Sequence, residues 1–146
     1  MNFRKAFRVI LVALLLLLLI PQALPAATSS STLYVTTHLG AKNVDKTESG
    51  TAAFYKAKIS KGKLIIYGGI ATEDSSTGTQ SHFKNYAKRT YKMIKNCKVG
   101  TYIDADTWCQ FDTDTFNKMF YSNKNGTNRT LKIKTKNGKI TKIIIT

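Results

Sequence analysis

Apolar and polar residues alternate along much of the chain beyond residue 50, and this two-residue period is typical of half-buried β-strands. The first strong segment, Phe54–Ile59, is separated by Lys61-Gly62 from a second one, Leu64–Ile70. A two-residue turn at Lys61-Gly62 joins the strands into a hairpin and pairs Ser60 with Lys63. This register predicts one face with Tyr55, Ala57, Ile59, Leu64 and Ile66, and another with Phe54, Lys56, Lys58, Ile65 and Tyr67.

A second hairpin is predicted at the C-terminus. Leu131–Lys136 and Lys139–Thr146 flank Asn137-Gly138, the dipeptide that most favours a tight type I′ turn. Closing this turn pairs Lys136 with Lys139. The core face is then predicted to hold Leu131, Ile133, Ile140 and Ile144, and the opposite face Lys132, Lys134, Lys136 and Lys139.

One helix is predicted between the hairpins. Asp112 is a favourable N-cap residue, and Asp114 lies in the first turn, where a negative charge is stabilising. Phe116, Met119 and Phe120 recur at helical spacing and form an apolar stripe. A helix of about three turns is marginal alone and needs a sheet to pack against.

The remaining segments complete the predicted fold. Short strands are expected at Leu33–Thr37 and Arg89–Lys95, with polar loops at Gly40–Gly50 and Thr72–Ser81, while Val99–Cys109 is irregular or holds a short strand. The fold class is therefore α+β and mainly β. We expect a curved antiparallel sheet of five or six strands, built from two hairpins, with one short helix.

The N-terminal segment has the pattern of an export signal. Arg4, Lys5 and Arg8 precede an unbroken apolar run, Val9–Ile20, which ends before Pro25 and a few small residues. These are the parts of a secretory signal peptide, and the run is shorter than the ~20 residues of a spanning helix. We expect cleavage near residue 27 and no stable membrane span afterwards; the alternative is an uncleaved anchor.

Three regions follow from this interpretation. Residues 1–27 are the signal peptide, residues 28–50 a polar leader with a short strand, and residues 51–146 a single β-rich domain. The expected location is outside the cell, either secreted or loosely associated with the cell surface.

Composition adds a large positive charge. The 146 residues contain 23 Lys+Arg and 8 Asp+Glu, and without residues 1–27 the balance is 20 against 8, or +12. At 42% hydrophobic residues the chain can build a core, which excludes wholesale disorder. Nineteen of the bases are lysine and four are arginine, which disfavours sequence-specific reading of nucleic acid.

The hairpin lysines are the candidate binding residues. Like charges on one sheet face repel, and an anionic partner such as a cell-wall polymer, an acidic glycan or a nucleic acid backbone would stabilise them. Lys56 and Lys58 alternate with Phe54 and Tyr67, a pattern that suits stacking on sugar rings or bases. The predicted polyanion site comprises Lys132, Lys134, Lys136, Lys139, Lys56 and Lys58. The alternative is a solvated face whose lysines prevent edge pairing.

The two cysteines, Cys97 and Cys109, are expected to form a disulfide, since an exported protein enters an oxidising compartment. Two buried free thiols are the alternative. No histidine lies between these cysteines or downstream of them, which disfavours a cysteine nucleophile.

Catalytic and metal motifs are absent from the sequence, so we assign no catalytic residue, metal or cofactor. Four aspartates, Asp104, Asp106, Asp112 and Asp114, offer oxygen ligands of the kind that calcium prefers, but without the EF-hand glycine and glutamate. The alternative function is a small secreted hydrolase, such as a nuclease. It would use His38 or His82 for general acid–base catalysis, with Glu48 or Glu73 as the acid.

Several short motifs are shared with a group of bacterial proteins. They are Lys61-Gly62-Lys63-Leu64-Ile65-Ile66-Tyr67-Gly68, Thr90-Tyr91-Lys92 ahead of Cys97, Phe116, and the final Asn137-Gly138-Lys139-Ile140 hairpin. Over most of residues 50–146 this arrangement resembles small uncharacterised exported proteins of Gram-positive anaerobic bacteria. The resemblance implies export and the order hairpin, helix, hairpin, and it carries over no catalytic residue. The sequence therefore favours a secreted, basic, non-enzymatic binding module.

Overall fold

The computed structural model describes residues 30–146, so the predicted signal peptide lies outside the described residues. The fold is mainly β with one short helix, as predicted. The strands are β1 (Ser31–His38), β2 (Ala53–Ser60), β3 (Lys63–Glu73), β4 (Gln80–Tyr102), β5 (Trp108–Gln110), β6 (Thr130–Lys136) and β7 (Lys139–Ile145). Between β5 and β6, helix α1 (Thr113–Asn117) runs directly into a π-helical turn (Lys118–Ser122).

The strands form one sheet that closes on itself. β6 pairs with β1, β1 pairs with both β2 and β3, and β3 pairs with β4. β4 then pairs with β7, which returns to β6. The result is a small barrel, to which β5 adds a short strand on the end of β4.

The predicted sheet of five or six antiparallel strands is wrong in number and direction. Residues 30–146 contain seven strands, and β1 with β2 and β4 with β7 are parallel. Parallel partners need a long connection, and here β5, the helix and β6 lie between β4 and β7. A prediction that pairs only strands adjacent in the sequence cannot detect a parallel pairing between distant strands. The strand predicted at Arg89–Lys95 is likewise only the middle of the 23-residue β4.

The helix packs against β2 and adds two aromatic rings to the core. Asp112 is the N-cap, and its carboxylate accepts a hydrogen bond from the Thr115 N–H at 2.7 Å, as the sequence predicted. Phe116 and Phe120 are fully buried, and their ring centroids lie 4.9 Å apart. Apolar burial therefore fixes the helix against the core.

The first hairpin has the predicted turn and one unpredicted bulge. Ser60 pairs with Lys63 as expected, but the register shifts between Phe54 and Lys56. The shift turns Phe54 into the core and leaves Tyr55 half-exposed on the outside, so the predicted positions of these two rings are reversed. A Cβ on Gly68 would lie 2.3 Å from the Phe54 Cα, so a bare glycine is required opposite the bulge.

The second hairpin also contains a bulge. Lys136 pairs with Lys139 as predicted, but the register then shifts, because Thr141 is an extra residue on β7. Beyond it Ile143 and Ile145 are fully buried, whereas Ile144 is half-exposed. The predicted core position of Ile144 is therefore wrong.

Candidate anion-binding surface

Three lysines lie side by side on the outside of the barrel. Lys134 of β6 pairs with Lys142 of β7, and Lys142 pairs with Lys98 of β4. Neighbouring strands are about 4.8 Å apart, so directly opposite side chains of one sign repel each other. Closer to the turn, Lys136 pairs with Lys139. We refer to these five residues (Lys98, Lys134, Lys136, Lys139 and Lys142) as the lysine surface.

One predicted member of this site is neutralised. Lys132 Nζ lies 2.5 Å from Glu73 Oε1, and the Glu73 side chain is only 7% exposed. This is the one ion pair found within residues 30–146. Lys98 and Lys142 were missed in the sequence, because the bulge at Thr141 and the parallel pairing of β4 with β7 place them beside Lys134.

Two aromatic rings border the lysine surface. The Lys142 Nζ lies 4.1 Å from the centroid of the Trp108 ring and 4.5 Å from that of Tyr102. It also donates a hydrogen bond to the Tyr102 hydroxyl at 2.6 Å. The two rings meet edge to face, with centroids 5.0 Å apart. Trp108 and Tyr102 therefore hold the Lys142 ammonium without an acidic partner.

The ionisation of Tyr102 reports the local charge. The pKa of its phenol is lowered, first by the hydrogen bond from Lys142 and then by the positive charges of Lys142, Lys134 and Lys98. Three strands thus contribute to a positive potential at one exposed hydroxyl. An anion placed there would be stabilised by the same charges.

A second group of basic and aromatic side chains surrounds Lys56. Its Nζ lies 4.9 Å from the ring centroids of both Tyr67 and Tyr121, and 5.4 Å from that of Tyr55. Lys58 Nζ lies 5.0 Å from the Tyr121 centroid. The predicted mixture of lysines and rings is present, but Tyr55 takes the place of the buried Phe54. Tyr121, from the π-helical turn, had no signal in the sequence.

The expected disulfide is not formed. Both cysteines are free and half-buried. Cys109 pairs with Thr101, which is four residues along β4 from Cys97. Four residues of strand span about 13 Å, well beyond the ~7 Å limit between the Cα atoms of a disulfide. Burial also raises the pKa of Cys97 to about 11, which keeps this thiol protonated near neutral pH.

The two histidines have separate structural settings. His38 has no exposed surface and stacks on Phe54 with centroids 4.9 Å apart. Its Nε2 lies 3.0 Å from the Tyr55 carbonyl oxygen, which can only accept, so Nε2 carries the proton. Burial lowers the His38 pKa. His82 is exposed in β4, with Nδ1 3.0 Å from the Ser81 hydroxyl.

The clustered aspartates support turns. Asp104 accepts hydrogen bonds from the backbone N–H groups of Asp106 and Thr107 at 3.0 and 2.8 Å, and Asp112 caps the helix. No group of three or more metal-ligating side chains occurs in the part of the chain that the structure describes.

Comparisons with known proteins found no match. No family model matches the chain. Neither the curated proteins nor the solved structures gave a match. Among the helices of residues 30–146, none is long and apolar enough to cross a membrane.

Proposed function

We propose that this protein is a secreted, basic, non-enzymatic binding module that associates with anionic polymers at or near the cell surface. The observation that carries the proposal is the row formed by Lys134, Lys142 and Lys98 across three adjacent strands. Within residues 30–146 no carboxylate forms an ion pair with any of the three. A bound polyanion would supply the missing negative charge.

The expected binding is electrostatic and depends on salt. Exposed charges more than about 8 Å apart are largely screened at physiological ionic strength, so the closely spaced row should dominate the contacts. Binding a charged polymer releases its counterions, and the logarithm of the binding constant then falls linearly with the logarithm of the salt concentration. Scattered lysines elsewhere on the barrel should contribute less.

The order of the strands around the barrel resembles that of a known fold. β1 and β2 together fill one position of the ring, and β3, β4, β7 and β6 follow, with the helix between β4 and β6 in the chain. We propose that this is a variant of the OB fold, a five-stranded Greek-key barrel found in many binding domains. The loop of residues 39–52 would then split its first strand into β1 and β2. A fold hosts many functions, so the lysine row and not the fold carries the proposal.

The test compares two triple variants of equal charge on columns of heparin, immobilised polyphosphate and neutral dextran. The first variant replaces Lys98, Lys134 and Lys142 by Gln. The control replaces three exposed lysines outside the row in the same way: Lys92, Lys118 and Lys124. The native protein should bind both anionic columns and pass through dextran.

We expect the row variant to elute at clearly lower salt than the control. On polyphosphate, its salt slope should fall by about 2–3 if each lysine contacts one phosphate. Equal elution of the two variants would show that net charge alone causes retention, with no site at the row. Release of cleaved polymer by the native protein would instead favour the hydrolase.

A further inference from the structure

Building on the proposed function, we propose that Trp108 is the stacking platform for a sugar ring of an acidic glycan. Lys142 would leave the indole and pair with the anionic group of that sugar. The glycan would thus be held by one ring contact and one charge contact on neighbouring strands. Neither Trp108 nor Lys142 had been selected from the sequence.

The indole is fixed before any ligand arrives. A Cβ on Gly100 would lie 2.9 Å from Trp108 Cζ2, so the ring lies against the one residue of β4 there that carries no side chain. Trp108 Nε1 donates a hydrogen bond to Gln110 Oε1 at 2.9 Å. Tyr102 packs against the ring edge to face. A ring held in this way loses little conformational freedom on binding, which favours affinity.

Lys142 covers the platform with a weak contact. A cation–π interaction at a solvent-exposed site is weaker than one removed from water. A charge-assisted hydrogen bond to a carboxylate or sulfate is stronger, and Lys98 and Lys134 would reinforce it. An arriving anion therefore draws the ammonium away from the indole. The same event uncovers the ring for stacking.

Two features favour an acidic glycan over a nucleic acid. Lysine supplies 19 of the 23 basic residues, whereas bidentate recognition of phosphate favours arginine. Trp108 offers one platform, whereas single-stranded nucleic acids are usually bound by several aromatic rings that stack successive bases.

The single tryptophan makes the test direct, because fluorescence excited selectively in tryptophan comes from Trp108 alone. The purified protein and its Trp108→Leu and Trp108→Phe variants are titrated with four probes: oligogalacturonate, neutral dextran oligomers, inorganic polyphosphate and oligo(dT). Circular dichroism confirms that each variant is folded. Fluorescence is followed for the native protein, and calorimetry gives the affinity of all three proteins.

Oligogalacturonate should bind and change the Trp108 emission. Trp108→Leu should weaken this binding by about tenfold and Trp108→Phe by about twofold, because Phe still offers a ring. Polyphosphate affinity should change by less than about twofold in both variants, because it has no ring to stack. Dextran should not bind.

Other results would overturn the inference. If the Trp108 variants lose equal affinity for polyphosphate and for oligogalacturonate, the role of Trp108 is purely structural. A Trp108 dependence confined to oligo(dT) would assign the platform to nucleic acid. If no polyanion binds the native protein, the proposed function itself fails. If polyanions bind without any dependence on Trp108, only this inference fails.

Discussion

Asn117 is expected to fasten the helix to the barrel, and its replacement by alanine tests this. Its Oδ1 accepts a hydrogen bond from the Ile59 N–H at 2.8 Å, and its Nδ2 donates one to the Ile59 carbonyl oxygen at 3.1 Å. Each bond contributes about 1 kcal/mol net, and the cost can rise toward 3 kcal/mol where the remaining partner is buried without another bond. Ile59 is 8% exposed, so its freed groups have little access to water. We expect Asn117→Ala to lower the free energy of unfolding by about 2–4 kcal/mol.

Urea denaturation followed by circular dichroism measures this loss, and a thermal melt should show Tm lower by roughly 8–15 °C. Asn117→Asp keeps the acceptor and loses the donor, so it should fall between the native protein and the alanine variant. Lys118→Ala alters the adjacent exposed residue and should change stability by less than about 0.5 kcal/mol. If Asn117→Ala is no more destabilising than Lys118→Ala, the two hydrogen bonds do not fasten the helix and the reasoning fails.

Three further predictions concern groups that ionise. The pKa of His38 is lowered in the folded protein, so the unfolded state binds the proton more tightly and stability should fall as the pH drops below about 6.5. Urea titrations at several pH values should show this fall both in the native protein and in His82→Gln, and a flat profile would contradict it. The Tyr102 phenol should ionise at lower pH than a free tyrosine in an ultraviolet titration, and Lys142→Gln should raise its pKa; no change on substitution would exclude Lys142 as the cause. Thiol titration should find two free cysteines in the unfolded protein without reductant, and Cys97 should react slowly in the native one; a mass two units lower would reveal a disulfide.

Local signals predicted the two hairpins and the position of the helix. The turns at Lys61-Gly62 and Asn137-Gly138 fixed two hairpin registers, because a two-residue turn permits one pairing next to it. The Asp112 cap and the spacing of the phenylalanines located the helix, because both signals act within a few residues. These features depend on chain neighbours alone.

The bulges and the distant pairings had no such signal. The extra residue Thr141 places Ile143 and Ile145 in the core instead of Ile144. A strict alternation of apolar and polar residues cannot show where a strand contains an extra residue. The row containing Lys98 and Lys142 depends on a parallel pairing between strands about 40 residues apart. The disulfide was inferred from the number of cysteines and the expected compartment. The pairing register of β5 with β4 decides the distance between Cys97 and Cys109, and the number of cysteines does not reveal that register.

The position of β7 determines when the barrel can form. This last strand lies between β4 and β6 and pairs with both, and Thr146 exchanges two backbone hydrogen bonds with Thr130. A nascent chain that lacks β7 exposes two unpaired strand edges, which are prone to aggregation. Closure of the barrel must therefore await synthesis of β7. A deletion of a few residues within β7 should harm this protein more than a larger change in the loop of residues 39–52.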